Sequence, residues 1–543
     1  MAKTKQAPST SKKSNAKADI SFEDKLWQVA DDLRGAVAEN QYKDYVLSLL
    51  FVKHLSERFD KRYNELTVAL DDPKSDYYTT NKKERNYVLE DELEYQSKSV
   101  FKLPKTATWK YLRESAEQDD IKVIVDKAFI AIDDILAVRD LDYKGLLPPM
   151  FVKSQLSAQQ VAGLINLFSS AEFSEDNNPE TDLYGRIYEY YIGKFAMAEG
   201  SGAGQFFTSA CVVQLLVEMI EPLSGRIADL ALGSAGMMVQ SVKFLKAHSS
   251  NPDYMVYGQE RYEGTLRLAK MNLLLRNMNF KVMLGDSLLD DKLPELTGKN
   301  GADYMLLNVP FNLRFPNELL SDNDPRLWGP KETFTTGGNA NYMWFQTIWH
   351  HLSPRGTAGV IMANGAMTTT NQGEKNVRDY MIEKGMIDCI VTLPDRLFLT
   401  TGIPACIFIL SKNRDGKDGV HRERKKEILF IDARKMGTMV TRKLRAFSDE
   451  DIERIANKYH QWRNIKGKYK NEDGFCYAAT IDEVKAQNGV LAPGRYVGAE
   501  EELDDGVPFE RKLDELYSRL EVQFAQSSIM EEKIRENLKS LFL

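Results

Sequence analysis

Through "SFEDKLWQVADDLRGAVAENQYKDYVLSLLFVKHLSERFDKRYNEL", residues 21–66, apolar positions recur at three- and four-residue steps, the spacing of one buried helix face. Ser21 and Asp24 open the stretch at capping-box-like spacing. The pattern predicts a helical N-terminal domain over 21–178, interrupted by the polar run around 72–98. From Leu183 the grammar changes. Helices are expected at 183–197 and 209–220, then the strand "RIADLAL", the helix "MMVQSVKFLKAH", the strand "YMVYGQE", the helix "EGTLRLAKMNLLLRN", and the strands "FKVMLGD" and "ADYMLLN". The helix, turn and strand rhythm repeats in "YMWFQTIWHHL" and "SPRGTAGVIMANG", and "MIDCIVTLP" and "PACIFILSKN" supply further strands. Short apolar strands alternating with amphipathic helices predict an α/β fold with a parallel, doubly wound sheet and right-handed crossovers, here over 179–415.

The flanks differ in character. Residues 1–20 are rich in lysine and small polar residues, so they predict a disordered basic tail. After the locally basic "KNRDGKDGVHRERKKE", an α/β extension is expected over 416–507. In 508–543, Phe509, Leu513, Leu516, Leu520 and Phe524 recur at helical steps, followed by Ile534, Leu538 and Leu541. Such a stripe needs a surface to pack on, either its own chain or a partner helix.

At 543 residues the chain exceeds one ordinary core. Its net charge of −7 makes it no obvious polyanion binder as a whole, so nucleic acid contact must come from local patches or a partner. Cys211, Cys389, Cys406 and Cys476 form no C-x-x-C pair, which favours reduced thiols and a cytoplasmic location. The adjacent His350 and His351 lack ligands at metal spacing, so no metal is expected. No apolar run is long enough for a bilayer and the N-terminus is polar, so neither a membrane span nor a signal peptide is expected.

In a doubly wound sheet, ligands bind outside the carboxyl ends of the strands. The first strand ends in Asp229-Leu-Ala-Leu-Gly233-Ser234-Ala235-Gly236 and runs into a helix; glycines there allow close backbone approach, and the helix start offers free amides. The second strand ends at Glu260, placed to accept from ribose hydroxyls, the third at Gly285-Asp286, and the fourth at Asn308. Singly, a glycine turn can be only a tight turn and a terminal acid only a solvated cap. Their order on four successive strands is more specific. A nicotinamide-binding unit accounts for the first two features but requires G-x-G-x-x-G, which is absent, and leaves the fourth strand unexplained.

The order of these features is similar to that of S-adenosylmethionine-dependent amino-methyltransferases, whose fourth strand ends in Asn-Pro-Pro-Phe or Asn-Pro-Pro-Tyr. The segments "DLYGRIYEYYIGKFA", "GQFFTS", "GQERYEGTLRLAKMNLLLRNM", "LLNVPFN", "NYMWFQTIWHHLSPRGTAGVIMANG", "TGIPACIFILSKN" and "LAPGRYVG" resemble one family, the modification (M) subunit of type I restriction-modification systems, an adenine-N6 DNA methyltransferase. The resemblance covers residues 22 to about 500. It implies a Rossmann-like methyltransferase domain preceded by a helical N-terminal domain and followed by a C-terminal helix. It also implies S-adenosylmethionine as cofactor, with DNA, a DNA-specificity subunit, a second copy of the M subunit and an ATP-dependent restriction subunit as partners. No phosphate-loop motif or evident nuclease site occurs in this chain, so restriction activity is expected of another subunit.

Carried over by residue, the resemblance implies that Gln205, Phe206, Phe207 and Thr208 line the cofactor; Phe206 and Phe207 read equally well as core packing. Asp229, Gly233, Ser234 and Gly236 are expected to cradle its methionine end, Glu260 its ribose, and Asp286 its adenine amino group. Asn308 and the carbonyl of Val309 are the expected acceptors for the target amino group, Phe311 the stacking surface, and Pro310 completes the motif. Two departures stand out: Val309 replaces the first proline of the motif, and Ala235 replaces a glycine in the cofactor turn, where Leu230 and Leu232 also differ. A Cβ at Ala235 is tolerated only where φ is negative or the ligand stays clear. A catalytically impaired structural subunit of the same kind of complex, and a protein-glutamine methyltransferase, are the alternative readings.

Overall fold

The computed structural model describes residues 39–170, 182–199, 208–335, 338–398, 404–441, 444–499 and 509–541. The tail 1–20 and the candidate residues Gln205, Phe206 and Phe207 lie outside the described residues.

Four principal helices build the N-terminal part: α1 (Glu39–Asp71), α2 (Ile121–Arg139), α3 (Ala158–Phe168) and α4 (Leu183–Glu199). Their apolar faces share one core, including Leu50, Phe51, Phe129, Phe168 and Tyr188. The polar run after α1 is not a simple loop. It folds into short helices Lys82–Glu90 and Glu92–Gln96, whose first turns are capped by the side chains of Asn81 and Asp91, as short polar side chains do for unpaired amides.

Beyond α5 (Ala210–Ile220) the sheet begins. Its strands are β1 (Gly225–Asp229), β2 (Tyr254–Glu260), β3 (Phe280–Leu284), β4 (Ala302–Asn308), β5 (Leu352–Ala363), β6 (Ile387–Thr392), β7 (Ala405–Ser411) and β8 (Glu427–Asp432). After the two-residue strands β9 (Thr438–Met439) and β10 (Arg445–Ala446), which pair with each other, β11 (Cys476–Thr480) returns to the main sheet. The described residues thus give a nine-stranded sheet in the order β11-β8-β6-β7-β5-β4-β1-β2-β3.

Helices α6 (Gly236–His248), α7 (Glu263–Leu275), α8 (Asn341–His351), α9 (Gln372–Glu383) and α10 (Asp449–Arg463) cover both faces. Helices α5, α6 and α10 contribute to the apolar core on one side, and α8 and α9 to that on the other. Central strands β6 and β7 are buried throughout; β7 reads as an apolar run, whereas β6 carries Asp388, whose buried carboxylate is paired with Arg414 and Arg424.

The sheet departs from the all-parallel expectation. β7 runs antiparallel to both β5 and β6, and β11 antiparallel to β8. Parallel neighbours need a crossover of a dozen or more residues, usually helical. The link from β6 to β7 spans 393–404 and shows no helix among its described residues, so the chain turns back and inserts β7 between β5 and β6.

Helix α7 joins the two halves of this body. Leu266, Ala269 and Leu273 pack toward the sheet, whereas Leu268, Met271 and Leu275 belong to the N-terminal helical core. Its charged positions add ion pairs, Arg267 to Asp44 at 2.7 Å and Arg276 to Asp182 at 2.8 Å. The helical region is therefore held at the edge of the β1–β4 strand ends. Residues 498–543 form a separate unit, whose described residues include the helix α11 (Phe509–Leu541).

Candidate active site

Strands β3, β2, β1 and β4 are adjacent and parallel, so their carboxyl ends lie side by side. From β1 the chain steps outward to β2 and β3, and the crossover after β3 passes back over β1 to place β4 on its other side; such a reversal opens a crevice at the strand ends. A cavity of about 330 Å³ occupies it, within the range of small-molecule sites. Its walls include Gly233 and Ser234 after β1, Glu260 at the end of β2, Asp286 after β3, and Asn308, Pro310 and Phe311 from β4.

The turn after β1 is stitched to its neighbours. Gly233 N donates to Glu260 Oε2 at 2.9 Å, Leu232 N to the Gln259 carbonyl at 3.1 Å, and Asn272 Nδ2 of α7 to the Ser234 carbonyl at 2.8 Å. Leu232 seats against Gly258 of β2, where an added Cβ would stand 2.8 Å from Leu232 Cδ1. Glu260 also accepts from Tyr262 N through Oε1 at 2.9 Å. Burial lifts its carboxyl above the usual range, against the N–H groups of Tyr262, Gly233 and Arg261. Asp229 is buried and accepts from Ala231 N at 2.8 Å. Burial pushes its carboxyl up to about 7, the Ala231 N–H opposing and the Glu260 charge adding to the rise.

Ala235 takes φ +64° and ψ +21°, the left-handed region, as the residue before α6. It is buried in the apolar core and is not among the cavity-lining residues. Asp229 and Gly236 are likewise absent from the lining, so of the four residues expected to cradle the methionine end only Gly233 and Ser234 reach the wall. Asp286 does reach it; its Oδ1 accepts from Leu288 N at 3.0 Å and its Oδ2 lies 3.4 Å from Arg261.

At the end of β4, Asn308 Nδ2 donates to Thr208 Oγ1 at 2.7 Å, while its Oδ1 is buried with no hydrogen-bond partner. Val309 is fully buried in the apolar core. After Phe311, Asn312 adopts φ +53° and pairs reciprocally with Asn341, the first residue of α8: Asn312 N donates to Asn341 Oδ1 and Asn341 Nδ2 to Asn312 Oδ1, both at 3.0 Å.

The periodicity did not single out several wall residues. Lys43, Ile192 and Phe195 reach in from α1 and α4, Tyr262 from the start of α7, and Trp344 from α8. Trp344 is buried and its indole Nε1 has no acceptor. An orphaned buried polar atom costs roughly 1–3 kcal/mol, and two residues of the wall carry one each, the acceptor Asn308 Oδ1 and the donor Trp344 Nε1.

A family model for N-6 DNA methylases matches residues 179–505, and one for the HsdM N-terminal domain matches residues 22–185. The methylase subunit of the type I restriction enzyme MjaIX from Methanocaldococcus jannaschii is 34% identical over 96% of this chain and 91% of its own length. The HindI methylase subunit from Haemophilus influenzae is 38% identical over 81% of this chain and 99% of its own. The chain belongs to the methylase (M) subunits of type I restriction-modification systems.

Its fold agrees. A type I restriction-modification methyltransferase subunit from Streptococcus thermophilus superposes with a TM-score of 0.71 over 88% of this chain and 99% of that one, at 24% identity. A chain from a structural study of type I complex assembly gives a TM-score of 0.60 over 94% of this chain and 97% of that one, at 16% identity. This M subunit is thus an N-6 DNA methyltransferase of α/β class with a helical N-terminal domain, and its family decides for DNA over a protein glutamine amide. Among the described residues no helix is long and apolar enough to cross a membrane.

Proposed function

We propose that this M subunit binds S-adenosylmethionine in the cavity at the β1–β4 strand ends and transfers its methyl group to the N6 of an adenine flipped out of DNA. The observation that carries the reading is the buried, unpartnered Oδ1 of Asn308, a residue of that cavity's wall. The residues present fit the cofactor: a glycine turn without side-chain bulk at Gly233, an acid at Glu260 with acceptor capacity beyond its backbone partners, and apolar walls at Ile192, Phe195 and Leu268. When bound, S-adenosylmethionine supplies an electrophilic methyl group.

The chain's own residues do the rest. An adenine amino group is a poor nucleophile because its lone pair is delocalised into the ring. Asn308 Oδ1 and the Val309 carbonyl accept hydrogen bonds from its two N–H bonds, which stabilises the positive charge that develops on nitrogen. Pro310 biases Val309 toward extended backbone, keeping that carbonyl in line. Phe311 offers a face for the base to stack on after flipping. Glu260 holds the ribose hydroxyls, Gly233 and Ser234 border the methionine end, and Asp286 faces the adenine amino group of the cofactor. Asp229, behind the wall, shapes the turn through Ala231.

With an acidic balance overall, target choice falls to a DNA-specificity subunit. A second M subunit and an ATP-dependent restriction subunit complete the cytoplasmic assembly, with α11 offering its apolar stripe to a partner. The test combines the chain with its specificity partner, methyl-labelled S-adenosylmethionine and target DNA, followed by nucleoside analysis. Label in 6-methyladenine, abolished by Asn308→Ala, is the expected result. No incorporation by the wild-type complex, with cofactor binding intact, would mean an impaired structural subunit.

A further inference from the structure

Thr208 belongs to the segment that the family pattern places on the cofactor, yet its hydroxyl meets the Asn308 amide and Thr208 is not among the cavity-lining residues. An asparagine side chain is a flat group with an acceptor at one end and a donor at the other. Half a turn exchanges them with little change in shape. Only the oxygen-inward arrangement offers an acceptor to a substrate amino group; the other would set N–H against N–H. In this structure Nδ2 faces Thr208 Oγ1 at 2.7 Å, and Oδ1 is left buried without a partner.

We propose that Thr208 is a positioning residue that holds the Asn308 amide by its nitrogen, so that its oxygen is presented to the target base. The proposal rests on the role given above to Asn308. By taking the amide nitrogen, Thr208 offsets part of the cost of leaving Oδ1 unpaired, and the remainder is relieved when an N–H donor enters. The acceptor is therefore oriented before the substrate arrives, which is where preorganisation lowers a barrier.

Thr208 stands on a platform rigid enough for this. It precedes Ser209, the residue that opens α5, and α5 is seated by Val213, Leu216 and Ile220 in the apolar core. The seat is close: a Cβ built on Gly359 of β5 would lie 2.4 Å from Leu216 Cδ1 and 2.6 Å from Ile220 Cδ1. Gly359 pairs with Leu306 of β4, and Ile361, two residues on, pairs with Asn308 itself. The absence of a side chain at Gly359 thus fixes the helix that carries Thr208 against the strands that carry Asn308.

The test compares Thr208→Val, which removes the hydroxyl at constant shape, with Thr208→Ser, which keeps it, in the complex with the DNA-specificity subunit. Thr208→Val should lower kcat for methyl transfer by about 10-fold or more, with the calorimetric Kd for S-adenosylmethionine changed by less than about 2-fold, and Thr208→Ser should recover most of the rate. Thr208→Ala, which adds no apolar bulk beside the amide, should show the same split. Weakened cofactor binding with kcat kept at saturation would make Thr208 a cofactor ligand and overturn the proposal. Wild-type values in both measurements would overturn it too, as would failure of serine to rescue. Undiminished methylation by Asn308→Ala would instead sink the role of Asn308, whatever the Thr208 variants do.

Discussion

The turn after β1 and the loop after β4 each carry one residue that departs from the pattern of the family, Ala235 and Val309, and the fold absorbs them differently. Val309 turns its side chain into the core and leaves the backbone at the cavity edge, between the lining residues Asn308 and Pro310. Its change of identity touches packing and the stiffness of the chain. Ala235 accepts a left-handed backbone that L-residues other than glycine pay roughly 1–2 kcal/mol to adopt. Its methyl group is buried in the core rather than exposed on the cavity wall. A motif tolerates spelling changes where it uses backbone atoms, and the cost is then drawn from stability rather than from chemistry.

That contrast can be broken most severely at Asn308, where a side-chain atom is used. Asn308→Ala should lower methyl transfer by about 10²–10³-fold, the loss typical of one acceptor or donor aimed at developing charge, with S-adenosylmethionine affinity preserved in calorimetry. A second test concerns the buried acid under the β1 turn. Folded Asp229 keeps its proton up to about pH 7, whereas an unfolded aspartate releases it near ~3.9. The native state therefore binds more protons across that window, and its stability falls as pH rises through it. Asp229→Asn keeps an oxygen for Ala231 N and removes the charge. Relative to wild type it should gain roughly 2–3 kcal/mol of stability between pH 5 and pH 8, read from denaturant unfolding at the two pH values.

Glu260 tests the cofactor side. Glu260→Ala removes the acceptor for Gly233 N and Tyr262 N and should raise the Kd for S-adenosylmethionine by about 10- to 100-fold, as expected for loss of charged hydrogen bonds. Val309→Ala should cost roughly 1–3 kcal/mol of stability by emptying part of the core, measured by chemical denaturation. Ala235→Gly has the smallest expected effect. Relief of the left-handed strain is offset by the extra entropy of unfolded glycine and by loss of a buried methyl, so unfolding should shift by less than about 1 kcal/mol.

Much of this site was legible because a buried strand announces its own end. The apolar runs closing at Asp229, Glu260, Gly285-Asp286 and Asn308 bring these strand ends to one crevice once the strands are taken as neighbours, with Asp229 behind its wall, and β1 to β4 are adjacent and parallel. What periodicity reports is which face of an element is buried, not against what. The stripe Leu268, Met271 and Leu275 on α7 gave no sign that it covers the N-terminal helices rather than the sheet. For the same reason Lys43 and Phe195, distant in sequence, were missed as walls of the cavity. β7 was legible as a strand but not in direction, because an apolar run reads the same both ways. The left-handed φ of Ala235 and the Thr208 partner of Asn308 depend on backbone and side-chain geometry that composition does not encode.

The most direct measurement is the single-turnover rate of methyl transfer with S-adenosylmethionine pre-bound, for Asn308→Ala and Val309→Ala side by side in the complex with the specificity subunit, at a temperature where both remain folded. If the chemistry uses the Asn308 side chain and only the backbone of Val309, the first rate falls by about 100-fold or more and the second stays within about 5-fold of wild type. Equal losses in the two variants, or an undiminished rate for Asn308→Ala, would contradict the account.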